Sequence, residues 1–196
     1  MHKKFSAFLF GTVGLVIIDQ LVKHWSRVAA DGTEGRIFLP IWPGVFELKL
    51  IYNYGVAFGM FQGGGVFLTP VAIIITGVSS VIVWRNKEAG AGLVTMLALL
   101  SAGAVGNLID RLTMGKVTDM FWIRIIDFPV FNIADVCITI AGAMLVLSAL
   151  KESFSGGKHS STAEESDTLS NPEESKVEDS SPTCPASEET SKASQE

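Results

Sequence analysis

Asp19 and Lys23, then Asn107, Asp110 and Arg111, then Asn132 and Asp135 interrupt long apolar stretches of this 196-residue chain. Charge inside hydrocarbon is costly, so such residues are usually paired or functional. Asp19 and Lys23 stand i, i+4 and share a helix face, as an ion pair would. Asn107, Asp110 and Arg111 stand i, i+3, i+4 and share another. An arginine beside carboxylates serves either as a structural clamp or as a substrate-binding group. Asn132 and Asp135 are i, i+3, and Asp135 has the weakest structural reason to interrupt its apolar surroundings. The segment Asn53-Tyr54-Gly55-Val56-Ala57-Phe58-Gly59 adds an amide and two glycines that permit a turn.

Two carboxylates close together at a boundary between water and lipid invite one chemistry. Like charges a few ångströms apart do not both ionise readily, so the pair shares one proton. The ionised member takes a proton from water while the protonated member polarises a peptide carbonyl, which is aspartic-protease logic. No nucleophilic Ser or Cys beside a His is visible, and no glycine-rich phosphate loop. His2, His24 and His159 are far apart, and Cys137 and Cys184 make neither a disulfide framework nor a metal site, so no metal or cofactor is expected. Spacing does not choose the second carboxylate: Asp110, Asp119 and Asp127 all qualify as partners of Asp135.

Something must bring these groups together. Four apolar stretches approach the roughly 20 residues that cross a bilayer: about 5–25, 66–84, 89–109 and 130–150. Gly, Ala, Ser and Thr within them suit close helix–helix contact in lipid. Lys3 and Lys4 before the first stretch also resemble the start of a signal peptide, with Val28-Ala29-Ala30 as a cleavage site. The apolar pattern running past Asp19 to Trp25 favours a retained helix. Lys3, Lys4, Arg85, Lys87 and Lys151 put both termini and the second-to-third connection in the cytoplasm. Arg27, Arg36, Lys49, Arg111, Lys116 and Arg124 fall on the outer side against that rule. With this topology the unusual polar groups all reach the outer leaflet. Asp135, five residues past Val130, is expected roughly 8 Å below its edge at about 1.5 Å per residue.

The outer connection 26–65 contains VFELKLIYN, whose alternation of apolar and polar residues reads as a half-buried strand. The second outer connection, about 110–129, is shorter and mixed. The expected architecture is therefore an all-α membrane protein with a small β element: a four-helix bundle over 1–154 and a β segment within 26–65. Residues 155–196 differ in kind, being rich in Ser, Glu, Pro and Thr with almost no large apolar side chains. Residues 1–150 carry a net charge of +2 and residues 151–196 one of −7, so the acidity belongs to the tail. A segment of that composition cannot offset its ordering entropy and is expected to be a disordered, dispensable cytoplasmic extension. Nothing in the body suggests a nucleic-acid partner.

The motifs resemble a known family. Asp19-Gln20-Leu21-Val22-Lys23, Asn53 to Phe58, Gly106-Asn107-Leu108-Ile109-Asp110-Arg111 followed by Gly115 to Asp119, and Phe131-Asn132-Ile133-Ala134-Asp135 look like the successive boxes of lipoprotein signal peptidase (signal peptidase II). Each box alone is weak; four in order at the ends of four spans are specific. The resemblance covers 19–135. It implies a four-helix membrane bundle with a small periplasmic sheet in the bacterial inner membrane. It also implies cleavage of diacylglyceryl-modified prolipoproteins before the lipidated cysteine, by a monomer without metal or cofactor. It selects Asp119 and Asp135 as the catalytic dyad. Asn53, Gly55, Asn107, Arg111 and Asn132 then bind substrate or order the site, and Asp19, Lys23 and Asp110 support it. One departure stands beside the dyad: Thr118 and Met120 flank Asp119 where the family usually has an aliphatic residue and Phe. Two other classes compete. A proton-coupled transporter using Asp19, Asp110 and Asp135 should carry polar groups through the cytoplasmic half, which this sequence does not. A membrane scaffold gives no reason for so many ionisable groups in one leaflet.

Overall fold

A computed structural model of the chain describes residues 2–55 and 65–156. The calls on Val56–Gly59, His159, Cys184 and the tail beyond 156 lie outside the described residues, while Ser155 and Gly156, expected in the tail, continue the last helix. Four helices account for most of the rest: α1 (Lys3–Ala29), α2 (Gly65–Arg85), α3 (Ala91–Met114) and α4 (Ile133–Gly156). Each is long and apolar enough to cross a membrane. Their outward faces are apolar too, with Phe10, Ile17, Leu21, Ile74, Val78, Leu145 and Leu147 all exposed. A soluble helix would hide such a face, and a membrane helix presents it to lipid.

Helix α3 is the centre of the bundle. Half of its apolar window is buried, against 17% for each of the other three. Its small residues make this possible: Ala98, Ser101, Ala102, Gly103, Ala104 and Gly106 are all buried. Neighbouring backbones can then approach closely where the hydrophobic effect gives no help. The other three helices pack on α3, while α2 and α4 make at most a fringe contact with each other. A cleft is left between α2 and α4, floored by α3.

Three antiparallel strands cap one end: β1 (Ile37–Trp42), β2 (Phe46–Asn53) and β3 (Val117–Ile123), in the order β1-β2-β3. β2 is the strand expected from VFELKLIYN. β3 comes from the connection read only as short and mixed, because VTDMFWI has no period-2 alternation. Its pairing with β2 is decided by tertiary contact, with Asn53 opposite Val117 and Phe46 opposite Ile123.

The helix boundaries also shift. α1 continues through the candidate cleavage site to Ala29, and α3 runs one turn past Arg111. α4 starts at Ile133, three residues later than expected from hydropathy. Asp135 therefore lies in the first turn of α4, and Asn132 stands just before it.

Candidate active site

The start of α4 is built by its own sequence. Asparagine is a preferred N-cap because its short side chain accepts from a free first-turn N–H. Asn132 Oδ1 accepts from Asp135 N at 2.9 Å, and Asp135 Oδ2 accepts from Asn132 N at 3.2 Å. This reciprocal box fixes the Asp135 carboxylate against the positive end of the helix dipole. Two further groups complete the turn. Asp19, reaching across from α1, accepts from Ala134 N at 3.0 Å, and Asn107 Nδ2 of α3 donates to Asp135 Oδ1 at 2.9 Å.

Asp119 arrives on β3. Val117, Asp119 and Ile123 face the cleft, and the intervening Thr118 and Met120 are fully buried. Asn132 Nδ2 donates to Asp119 Oδ1 at 2.6 Å. One asparagine therefore touches both carboxylates, through its amide and through its backbone. Burial pushes the Asp119 carboxyl up to about 7, and the neighbouring charge of Asp135 pushes the same way. Hydrogen bonds from Asn132 and Asn53 oppose the rise without cancelling it.

Behind the pair sits a buried ionic network. Lys23 Nζ, wholly buried, lies 3.0 Å from Asp19 Oδ2 and 3.5 Å from Asp110 Oδ2. It also donates to Asn107 Oδ1 at 2.9 Å. An ammonium can only donate, so the Asn107 oxygen must face Lys23 and its NH₂ must face Asp135. Asn132 Nδ2 donates to the same Asn107 oxygen at 3.1 Å, which fixes the second amide in turn. Lys23 thus sets the polarity of the hydrogen-bond chain that ends on Asp135 and Asp119. Asp110 also ties down β3, accepting from Thr118 N at 2.8 Å.

In front of the pair the cleft encloses about 1120 Å³. Asn53, Gly55, Asn107, Arg111, Asp119 and Asp135 are among its lining, with aliphatic residues of α2, α3 and α4 and the aromatic Tyr52, Tyr54, Phe128 and Phe131. Asn53 Oδ1 accepts from Gly55 N at 3.0 Å, which turns the chain at the rim. Among the described residues the Arg111 guanidinium makes one long hydrogen bond, of 3.4 Å, to Asn107 O in its own helix. Asp135, Asp119 and Asp110 are its charged neighbours.

The candidate residues therefore meet at one end of the bundle. Asp119 and Asp135 reach the cleft, whereas Asp110 points into the ionic network. Asp127 is exposed and accepts from Trp122 Nε1 at 3.3 Å. Gln20 went unassigned in the sequence although it stands in the first box. Its Nε2 lies within 3.2 Å of Asp19 Oδ2 and Asp110 Oδ1 and within 3.0 Å of Gly106 O. A glutamine amid apolar residues, one position after an acid, was the available signal.

Comparison with known proteins gives a consistent result. Residues 12–151 match the family described as signal peptidase (SPase) II. The chain is 35% identical over 140 residues to a lipoprotein signal peptidase of Streptococcus thermophilus, covering 71% of this chain and 90% of that protein. A lipoprotein signal peptidase of Gloeobacter violaceus is 35% identical over 151 residues, covering 77% and 86% respectively. A bacterial membrane enzyme solved by the in meso method at 2.3 Å superposes with a TM-score of 0.70 at 29% identity, over 84% of this chain and 99% of that one. The transporter alternative gains no support from these relatives.

Proposed function

Since this chain belongs to the signal peptidase II family, we propose that it removes signal peptides from diacylglyceryl-modified prolipoproteins as an aspartic endopeptidase, with Asp119 and Asp135 as its dyad. The observation that carries this reading is the Asn132 bridge. Its amide meets Asp119 and its backbone meets Asp135 at the polar end of an otherwise apolar cleft.

The chemistry follows from that arrangement. Asp119 carries the shared proton, and Asp135, held by Asn107 and the start of α4, carries the charge. Asp135 takes a proton from a water molecule as the water oxygen bonds to the scissile carbonyl carbon. Asp119 gives its proton to the carbonyl oxygen. In the resulting tetrahedral intermediate the C–N bond breaks, Asp135 returns its proton to the amine, and Asp119 recovers one from the hydroxyl. The dyad ends as it began. Arg111 and Asn53, at the polar end of the cleft, hold the substrate backbone.

The shape of the cleft fits such a substrate. A signal-peptide helix and a diacylglyceryl group both arrive from lipid, and the gap between α2 and α4 is the lateral entrance. Lys3, Lys4, Arg85 and Lys87 support a cytoplasmic location for the opposite end of the bundle in a bacterial inner-membrane protein. The dyad then lies at the periplasmic leaflet, beneath the sheet, in a protein acting as a monomer.

The test is cleavage of a diacylglyceryl-modified precursor by the purified full chain in detergent. Asp119→Asn and Asp135→Asn are each expected to abolish turnover while the protein still accumulates in the membrane. Asp127→Asn should keep its rate. An Asp119→Asn protein with full activity would remove Asp119 from the dyad.

A further inference from the structure

β3 brings Asp119 to the cleft, and its ladder with β2 changes register just past that residue. The β2–β3 register shifts between Leu48 and Ile51, opposite the stretch from Phe121 to Asp119. Asp119 pairs with Ile51 and Phe121 with Leu48, so the extra residue lies on β2 and bends that strand, while Met120 N and Phe121 N donate to Phe131 O on the other edge of β3. Thr118, beside Asp119, faces the bundle and is wholly buried. Its N–H is taken by Asp110 Oδ2 at 2.8 Å. Its hydroxyl oxygen accepts from Arg27 Nη1 of α1 at 2.9 Å.

Arg27 extends a series along one face of α1. Asp19, Lys23 and Arg27 are spaced i, i+4, i+8, and the first two enter the ionic network. The third is different: among the described residues Arg27 has no carboxylate within ion-pairing distance. Its guanidinium is directed at a buried hydroxyl instead, a charge-assisted bond stronger than a neutral one. That hydroxyl stands where the resemblance leads one to expect an aliphatic side chain.

We propose that Arg27 and the Thr118 hydroxyl form a positioning clamp, tying β3 to the end of α1 and holding Asp119 in reach of Asn132 and the substrate carbonyl. The clamp rests on the reading of Asp119 as a dyad member. It touches no reacting atom and acts only through the strand. Misplacement by about 1 Å at a reacting group can cost about a hundredfold in rate, so a modest loosening of β3 reports in kcat.

The experiment uses full-length protein and the same lipidated precursor, comparing Thr118→Val, Arg27→Met, their double variant, Thr118→Ser and Asp119→Asn. Thr118→Val keeps the shape and loses the acceptor, and Thr118→Ser keeps the acceptor. Each of the first two is expected to lose about ten- to a hundredfold in kcat, with KM within about twofold. The double variant should lose no more than the worse single one, and Thr118→Ser should keep most of the rate. Melting temperatures measured in parallel establish that each variant is folded at the assay temperature. A wild-type kcat in either single variant overturns the clamp, as do losses that multiply in the double or a failure of serine to rescue. Full activity in Asp119→Asn would overturn the dyad reading. An inactive Asp119→Asn beside a fully active Thr118→Val would overturn the clamp alone.

Discussion

At the scale of single residues, the environment of Asp119 makes a statement about pH. Desolvation and the nearby Asp135 raise its carboxyl to about 7. Below that value Asp119 keeps its proton, and the dyad has both an acid and a base. Above it both carboxylates are ionised, and no acid remains for the carbonyl oxygen. The rate should therefore be sustained below about 7 and fall as pH rises through it, approaching about tenfold per pH unit. A pH–rate profile of kcat/KM for the detergent-solubilised protein checks this. A profile flat to about pH 9 would mean that Asp119 does not supply the acid.

At the scale of elements, the site depends on how closely α3 meets α1 and α4. A Cβ on Gly103 would collide with the Ala134 carbonyl oxygen, and one on Gly106 would lie 2.6 Å from Asp19 Oδ2. Neither glycine is needed for a special backbone angle; each is needed because another group occupies its missing side chain's place. Gly103→Ala should push the start of α4 away and lower stability by about 1–3 kcal/mol, with a loss of turnover because Asn132 and Asp135 move with that helix. Gly142→Ala, with nothing within 4 Å, should change neither. Unfolding in detergent and the cleavage assay together test the pair. The same scale explains the strand that sequence patterning missed. β3 is buried by α1 and α3 on one side and faces the cleft on the other, so no polar face exists to alternate with an apolar one.

At the scale of the whole molecule, the buried ionic groups Asp19, Lys23, Asp110 and Asp119 gather at one end, and all four helices expose apolar side chains. Arranged around α3, the helices leave a gap between α2 and α4 through which, on the proposed function, a lipid-borne substrate meets Asp119 and Asp135. The acidic segment 157–196 lies outside the described residues and carries none of the motif residues. Its deletion is expected to leave the cleavage rate in detergent unchanged. Loss of turnover on truncation would give the tail a part in catalysis.

The sequence by itself determined the four spans, the strand at VFELKLIYN and the convergence of Asp19, Lys23, Asn107 and Asp135 on one end. These follow from hydropathy over a fixed span length and from helical spacing, both properties of short stretches of chain. Spacing could not choose among Asp110, Asp119 and Asp127, because which carboxylate reaches Asp135 depends on contacts between distant segments. The family resemblance pointed to Asp119, and only the tertiary structure shows how it comes to face the cleft. The pairing of β3 with β2 carries Asp119 into the cleft, the Lys23 network absorbs Asp110, and the turn after β3 leaves Asp127 in the open. The reach of Arg27 to Thr118 belongs to the same class, since no local pattern records a hydrogen bond across 91 residues.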